Sequence, residues 1–291
     1  MTDLVHIATD RLSAAINPFG AELTHLRDPD GRELMTNADP AFWPRHAPIL
    51  FPVIGVTNGG VIRVDGTEYP MPKHGFARDR GFKIVDRGDA HVVFALTDDA
   101  ETRKHYPFAF RLEIEFRIEA ATLSIEARVI NPADTPLLAQ FGFHPAFAWP
   151  LPYAAPRADH RIVFDRDEPA RLAAITPDGL IAPETKPSPL EDRTLHLADA
   201  LFEHDALVWD PVASGSVAYG APGAPHLRID FPTTPRLGIW TKPGAAFVCV
   251  EPWHGIADPH GFTGEYRDKP GVFAVAAGDI KAIRMDVTLV D

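Results

Sequence analysis

Cysteine occurs once in 291 residues, at Cys249, so no disulfide can form within the chain. That fits a reducing compartment. No apolar run approaches membrane-spanning length. The opening residues Met1-Thr2-Asp3-Leu4-Val5-His6 lack a basic region followed by an apolar stretch, and therefore carry no signal-peptide pattern. Positive charge is also scarce. There are 28 Lys and Arg against 40 Asp and Glu, a formal net charge of −12, which argues against a nucleic-acid or anionic-membrane surface. Walker-type phosphate loops, dinucleotide fingerprints and Gly-x-Ser-x-Gly elbows are missing, as are His-x-His and His-x-x-x-His metal spacings. These absences predict a soluble cytoplasmic protein without metal or cofactor. The lone cysteine lies inside an apolar run, which makes it a poor nucleophile.

Amphipathic helices of three turns are missing too, along with heptads and short-period repeats. What is present is a succession of short β-prone runs broken by turns. Hydrophobic residues make up 45% of the chain and charged residues 23%, enough for a well-buried core. From Phe110 to Ile118 apolar and charged residues alternate without fault, and Thr122 to Ile130 repeats the period. That pattern means one buried and one wet face, as in an antiparallel sheet. Asn17-Pro18-Phe19-Gly20 and Asp28-Pro29-Asp30-Gly31 are turn signals, and Val61 to Tyr69 reads as a hairpin with Asp65-Gly66 at its tip. Four prolines between Pro40 and Pro52 exclude a helix there, and Ile49 to Gly55 is expected as a buried extended segment. Glu168 to Arg193 is rich in turn residues and predicts a long irregular excursion. Ala246 to Glu251 is an apolar strand ending in a carboxylate, and two further strands close the chain. The expected fold is an all-β sandwich, one domain over residues 1–291.

Three polar-aromatic stretches stand out against this background. Lys73-His74-Gly75-Phe76-Ala77-Arg78-Asp79-Arg80-Gly81-Phe82 packs imidazole and guanidinium around glycines, as one wall of a small-molecule site would. Phe143-His144-Pro145-Ala146-Phe147 and Cys249-Val250-Glu251-Pro252-Trp253 would supply other walls. Each has a bland alternative. Glu251 could emerge into solvent at a strand end, and His144 could be a core histidine bonded to a carbonyl. His46 and His74 share that doubt. His204 and His254 look like rim residues, and Asp205 like a solvated turn. A metal set of His46, His74, His144 and Glu251 lacks local ligand spacing.

Taken in order, His74-Gly75-Phe76-Ala77-Arg78, Phe143-His144-Pro145-Ala146-Phe147 and Glu251-Pro252-Trp253 resemble the aldose 1-epimerase (galactose mutarotase) superfamily. Trp43-Pro44-Arg45-His46-Ala47-Pro48-Ile49-Leu50-Phe51-Pro52 and Phe202-Glu203-His204-Asp205-Ala206-Leu207 are similar to its LacX-like branch, itself related to the hexose-6-phosphate 1-epimerases. The resemblance implies a large antiparallel supersandwich with a sugar cleft and cofactor-free interconversion of α and β anomers. By position it implies Glu251 as base and His144 as acid, with His74, Arg78, Arg45 and Asp205 contacting the sugar. Trp253, if it faces the cleft, could stack on an apolar sugar face.

The chemistry suits these residue types. A carboxylate and an imidazole on opposite sides of the sugar could take the C1 hydroxyl proton and supply one to the ring oxygen. Where galactose-specific relatives carry His-Pro-Tyr-Phe, this chain has His144-Pro145-Ala146-Phe147, so their preference does not transfer. Arg45 and Arg78 could hold a sugar phosphate, neutral hydroxyls, or Asp79 and Glu251. Lys242 is an anion contact or a solvated loop residue. Arg80 and Asp79 are expected as a local ion pair propping the loop. The partner implied is a small sugar or sugar phosphate, bound by a monomer or homodimer. Two other readings remain: a non-catalytic carbohydrate-binding or sugar-sensing module on the same fold, and a metal-dependent sugar isomerase of another β-fold.

Overall fold

The computed structural model describes residues 3–291. The alternating segments form the centre of a nine-stranded sheet. Arg111–Glu119 and Thr122–Ile130 pair antiparallel, and Leu112, Ile114, Phe116 and Ile118 point inward, almost fully buried. Around them the sheet runs in the order Thr194–His196, Arg161–Phe164, Ser216–Gly220, His226–Asp230, Ile280–Val290, Thr122–Ile130, Arg111–Glu119, His91–Thr97 and Lys83–Arg87. Arginines and glutamates on its outer face pair along and across strands, Arg128 with Glu115 for example. Such exposed pairs keep that face wet and contribute little stability individually.

A seven-stranded sheet faces it across the core. Its order is Phe141–Gly142, Phe247–His254, Arg236–Trp240, Leu207–Trp209, Leu172–Ile175 and Ile181–Lys186, with Ala146–Ala148 also paired to Phe247–His254. Both faces of this sheet are apolar, because both are covered. Along Phe247–His254, Val248 and Val250 enter the main core, while Cys249 and Trp253 enter separate small clusters on the far side. That far face carries the cavity. Three smaller pieces complete the fold: the meander Val5–Ala8, Ser13–Asn17 and Glu22–Arg27, the hairpin Val61–Val64 with Thr67–Pro70, and the pair Leu137–Ala139 with Phe273–Val275. Helical structure among the described residues is confined to short 3-10 turns, and none is long and apolar enough to cross a membrane.

Two expectations change. The excursion from Glu168 to Arg193 contains a hairpin, Leu172–Ile175 with Ile181–Lys186, which extends the seven-stranded sheet. Ile181–Lys186 has no fully buried residue and shows no alternation, which hid it. The strand at Glu251 does not stop there but runs to His254. Pro252 can lie inside it because a proline removes only a donor, leaving its carbonyl to accept from Phe143 N–H at 3.1 Å.

The segment Ile49 to Gly55 is buried, as its composition implies, but it is extended only around Leu50 and Phe51, bends at Pro52 and Gly55, and is clamped onto the loop that follows it. Phe51 O accepts from the N–H groups of Phe76 at 3.0 Å and Ala77 at 3.2 Å. Gly75 meets this carbonyl with φ +73°, and a Cβ there would lie 2.1 Å from Phe51 O. Both conformation and space therefore demand glycine. Gly66, with φ +77° and open space, is a control for the backbone contribution alone. Gly66→Ala should cost about 1 kcal/mol and Gly75→Ala at least about 2 kcal/mol more. Denaturant unfolding of the two variants checks this, and equal losses would mean that the clamp yields without cost.

Candidate active site

The site begins with a strand register. Gly142 pairs with Trp253 and Ala146 with Cys249. Three residues separate the pairs on each side, so the register runs on unbroken and sets His144 opposite Glu251. Phe143 N–H bonds to Pro252 O, and Val250 N–H bonds to Pro145 O at 3.2 Å. Each of those hydrogen-bonded pairs lacks its second bond because the other partner is proline. His144 and Glu251 fall between them, at the position where side chains of opposing strands approach closest. His144 Nε2 lies 3.1 Å from Glu251 Oε2.

Both groups are buried, Glu251 to 1% exposure and His144 to 8%. Burial pushes the Glu251 carboxyl well above its ordinary range, and the charge of Asp205 adds to that, while Lys73 opposes it. Burial likewise pulls His144 down to about 3, with Arg78, Lys73 and Arg45 contributing. Burial thus favours the uncharged form of each partner, a protonated carboxyl beside a neutral imidazole. His144 Nδ1 and Trp253 Nε1 are buried without a protein hydrogen-bond partner, and Glu251 Oε2 has none beyond its contact with His144. Orphaned polar atoms of this kind are rare and cluster where a ligand binds.

His74 stands beside them, its ring edge-on to His144 with centroids 5.8 Å apart. Its backbone is left-handed, φ +66°, and two bonds to Gly55 hold it there. His74 N–H donates to Gly55 O at 2.8 Å, and Gly55 N–H donates to His74 Nδ1 at 3.1 Å. An Nδ1 that accepts places the proton on Nε2. Burial, reinforced by His144 and Arg78, keeps this ring neutral, so His74 is a fixed hydrogen-bond donor.

The cleft they line holds about 250 Å³, room for one small molecule. His74, Arg78, His144, Asp205, Glu251 and Trp253 all line it. Trp253 lies flat across two neighbouring strands, over Gly142 and Gly238, where a Cβ would come within 2.6 Å of the indole at either position. Asp205, at φ +74°, reaches the wall from the turn before Leu207–Trp209. Arg78 donates to Lys73 O at 2.7 Å. Arg45 is not on the wall: it sits at the rim and donates to Asp79 at 2.7 Å.

Several sequence expectations are corrected. Asp79 pairs with Arg45 and, at 3.7 Å, with Arg78; Arg80 instead lies over the Phe76 ring. Lys242 is not directed at the cavity but reaches the carbonyls of Ala41 and Phe42. The carboxylate and imidazole are side by side, not across the ligand from one another. His46 stands apart beside Glu22 and His25, and His254 packs on Phe273. Among the described residues, the donors close enough to share a metal are His144, Cys249 and Glu251, within 4.8 Å. This set fits a metal poorly, since burial favours the protonated thiol and the protonated carboxyl.

Sequence reasoning placed Lys73 within a candidate wall without assigning it a contact, and did not assign Trp43, Trp240, Ile175, Gly179 and Ile181 to the wall. Lys73 and Trp43 lay inside motifs already singled out. Ile175, Gly179 and Ile181 come from the concealed hairpin and had no periodic signal.

A stability consequence follows from Glu251. Its folded carboxyl releases a proton at higher pH than the unfolded one, which titrates near 4.3. The unfolded state therefore gains as pH rises above that value, and native stability falls until the folded group also ionises. Glu251→Gln removes this penalty. The variant should melt higher than wild type at pH 8, with the advantage shrinking on acidification to pH 4. Calorimetry at both pH values checks it, and an equal or lower melting temperature at pH 8 would show that the carboxyl is not held neutral.

Comparison with known proteins identifies the family and agrees with the fold. The family model described as aldose 1-epimerase matches residues 3–265. A plasmid-encoded protein LacX of Lactococcus lactis subsp. lactis is 28% identical, with 99% of each chain covered. A galactose mutarotase-like protein from Lactobacillus casei superposes with a TM-score of 0.91 at 29% identity, covering 99% of this chain and 100% of that one. A galactose mutarotase related enzyme from Lactobacillus acidophilus gives a TM-score of 0.90 at 26% identity, covering 99% of this chain and 98% of that one. With its site built on the same antiparallel supersandwich, the chain belongs to the aldose 1-epimerase family.

Proposed function

We propose that this protein is an aldose 1-epimerase that interconverts the α and β anomers of a hexose or hexose phosphate by general acid–base catalysis. The observation that carries the reading is the buried His144–Glu251 contact at 3.1 Å in the cavity wall. Ring opening removes a proton from the C1 hydroxyl and delivers one to the ring oxygen. Both oxygens are bonded to C1, so an acid and a base standing side by side can serve them together.

With Glu251 as base and His144 as acid, the working form is carboxylate and imidazolium. It contains the same single proton as the neutral pair, shifted from one partner to the other. Hydroxyls bonding to Glu251 favour that shift, while the Lys73 charge favours the carboxylate and opposes the imidazolium. The C1 hydroxyl proton goes to Glu251, the His144 proton goes to the ring oxygen, and the ring C–O bond breaks to leave an open aldehyde. Rotation about the C1–C2 bond presents the other carbonyl face. Closure returns both protons and restores the pair, so no external acid, base or cofactor is consumed. His74 Nε2–H, Arg78 and Asp205 hold hydroxyls in place, and Trp253 offers a flat apolar surface to the sugar ring.

The measurement is anomer exchange by NMR across free and 6-phosphorylated aldoses, corrected for the spontaneous rate. Glu251→Gln and His144→Gln should each lose about 10²-fold or more of kcat. If wild type accelerates no aldose, the enzymatic reading fails; saturable sugar binding without exchange would instead make it a sugar-binding module.

The pH profile should be a bell whose limbs belong to the pair as a unit. Activity falls at low pH when a second proton enters, and His144, held near 3, sets that limb well below an ordinary histidine. It falls at high pH when the shared proton is lost, and burial of Glu251 places that limb well above an ordinary carboxylate. An acid limb at pH 6 to 7, about where free histidine titrates, would contradict this.

A further inference from the structure

A catalytic histidine is ordinarily oriented by a hydrogen bond at the ring nitrogen that faces away from the chemistry. His160, a buried histidine in another part of the fold, shows the usual pattern in this chain. Its Nε2 accepts from Leu151 N–H at 3.0 Å, and its Nδ1 lies 3.0 Å from Pro156 O. His74 has its Nδ1 fixed by Gly55. His144 has no such support: Nε2 faces Glu251, and Nδ1 has no partner outside its own residue. Something else must keep the ring in place.

Aromatic faces do so. The Trp43 ring stacks on the His144 ring with centroids 4.8 Å apart and planes 25° from parallel. Trp240 closes from the side at 5.9 Å and 85°, and His74 at 5.8 Å and 81°. Trp43 is itself held. It packs on Trp240 and Phe247, each at 5.6 Å. Its N–H, like that of Phe42, bonds to Asp39 O at 2.9 Å, in the turn that Lys242 reaches from the opposite side.

We infer that Trp43 is the positioning residue of the acid: its indole face, in place of a hydrogen bond, fixes the His144 ring toward Glu251 and stabilises its cationic form during turnover. The second half follows from the ring quadrupole, which attracts a cation held over the indole within about 6 Å. Burial works against that cation, as do the positive charges facing the ring, Lys73 and Arg78 from the loop after Thr67–Pro70 and Arg45 from the segment that carries Trp43. Glu251 is the favourable charge beside it, Asp205 stands behind Glu251, and Cys249 and His74 are the remaining titratable neighbours. Against this background the indole is a stabiliser that does not itself titrate.

The inference rests on His144 being the acid, and the test separates the two. Trp43→Leu removes the ring, and Trp43→Phe keeps a ring with a weaker quadrupole, guarding against simple misfolding. Two readouts are taken: kcat against pH, and titration of the His144 imidazole by ¹⁵N NMR, assigned with His144→Gln. Trp43→Leu should lower kcat about 10-fold or more with a smaller change in KM, and move the acid limb and the imidazole titration down by about 0.5 to 1.5 pH units. Trp43→Phe should fall between Trp43→Leu and wild type. A loss of kcat with an unmoved titration would reduce Trp43 to packing and overturn the inference, as would full kcat in Trp43→Leu. If the imidazole titration moves as described while wild type exchanges no aldose, the stack stands and the epimerase reading fails.

Discussion

The cross-strand contact between His144 and Glu251 is the interaction on which the site depends. It exists because two strands keep register through a stretch where prolines remove half of the usual ladder. Pro145 and Pro252 each remove one donor, yet the remaining two bonds are enough to hold the pairing. The result places two ionisable side chains at the closest approach two strands allow, on a sheet face sealed by tryptophans. Neither group is comfortable there. Burial works against the charge of each, and each is tolerable because the other can take or give the same proton.

The rest of the cavity extends that arrangement. Gly55 fixes the tautomer of His74, and Phe51 clamps the loop that carries it. Asp258 anchors the wall at Ile256 and Ala257 by accepting from Asn58 N–H at 2.8 Å and pairing with the buried Lys269 at 2.6 Å. Two of the residues on the cavity wall, His74 and Asp205, also have left-handed backbone.

How much of this the sequence disclosed depends on which physical signal each part leaves. The central strands announce themselves because Phe110 to Ile118 lies between a core and solvent, and that contrast alternates with period two. His74, His144 and Glu251 were recognisable as an ordered set of motifs. Their closeness was not, since a register between residues 144 and 251 has no local mark. Glu251 looked like a strand end because Pro252 follows it, and only the pairing shows that this proline costs one bond. The outer strand of the hairpin from Leu172 to Lys186 left no alternation because none of its positions is fully buried. Trp43 belongs to the proline-rich segment from Trp43 to Pro52, but stacking has no sequence period. Arg45 was carried by its motif to the sugar, whereas its guanidinium is occupied by Asp79 at the rim.

The hairpin has a consequence for how such a protein can diversify. It occupies the far edge of the seven-stranded sheet, three strands removed from the one that carries Glu251. Ile175, Gly179 and Ile181 shape the cavity from there without touching the proton-handling pair. Substitutions, or changes in the length of this edge, can remodel the space offered to a ligand while the register of His144 and Glu251 stays intact. Under the proposed function, the margin of the sheet that shapes the ligand space is thereby physically separate from the pair that would handle the proton.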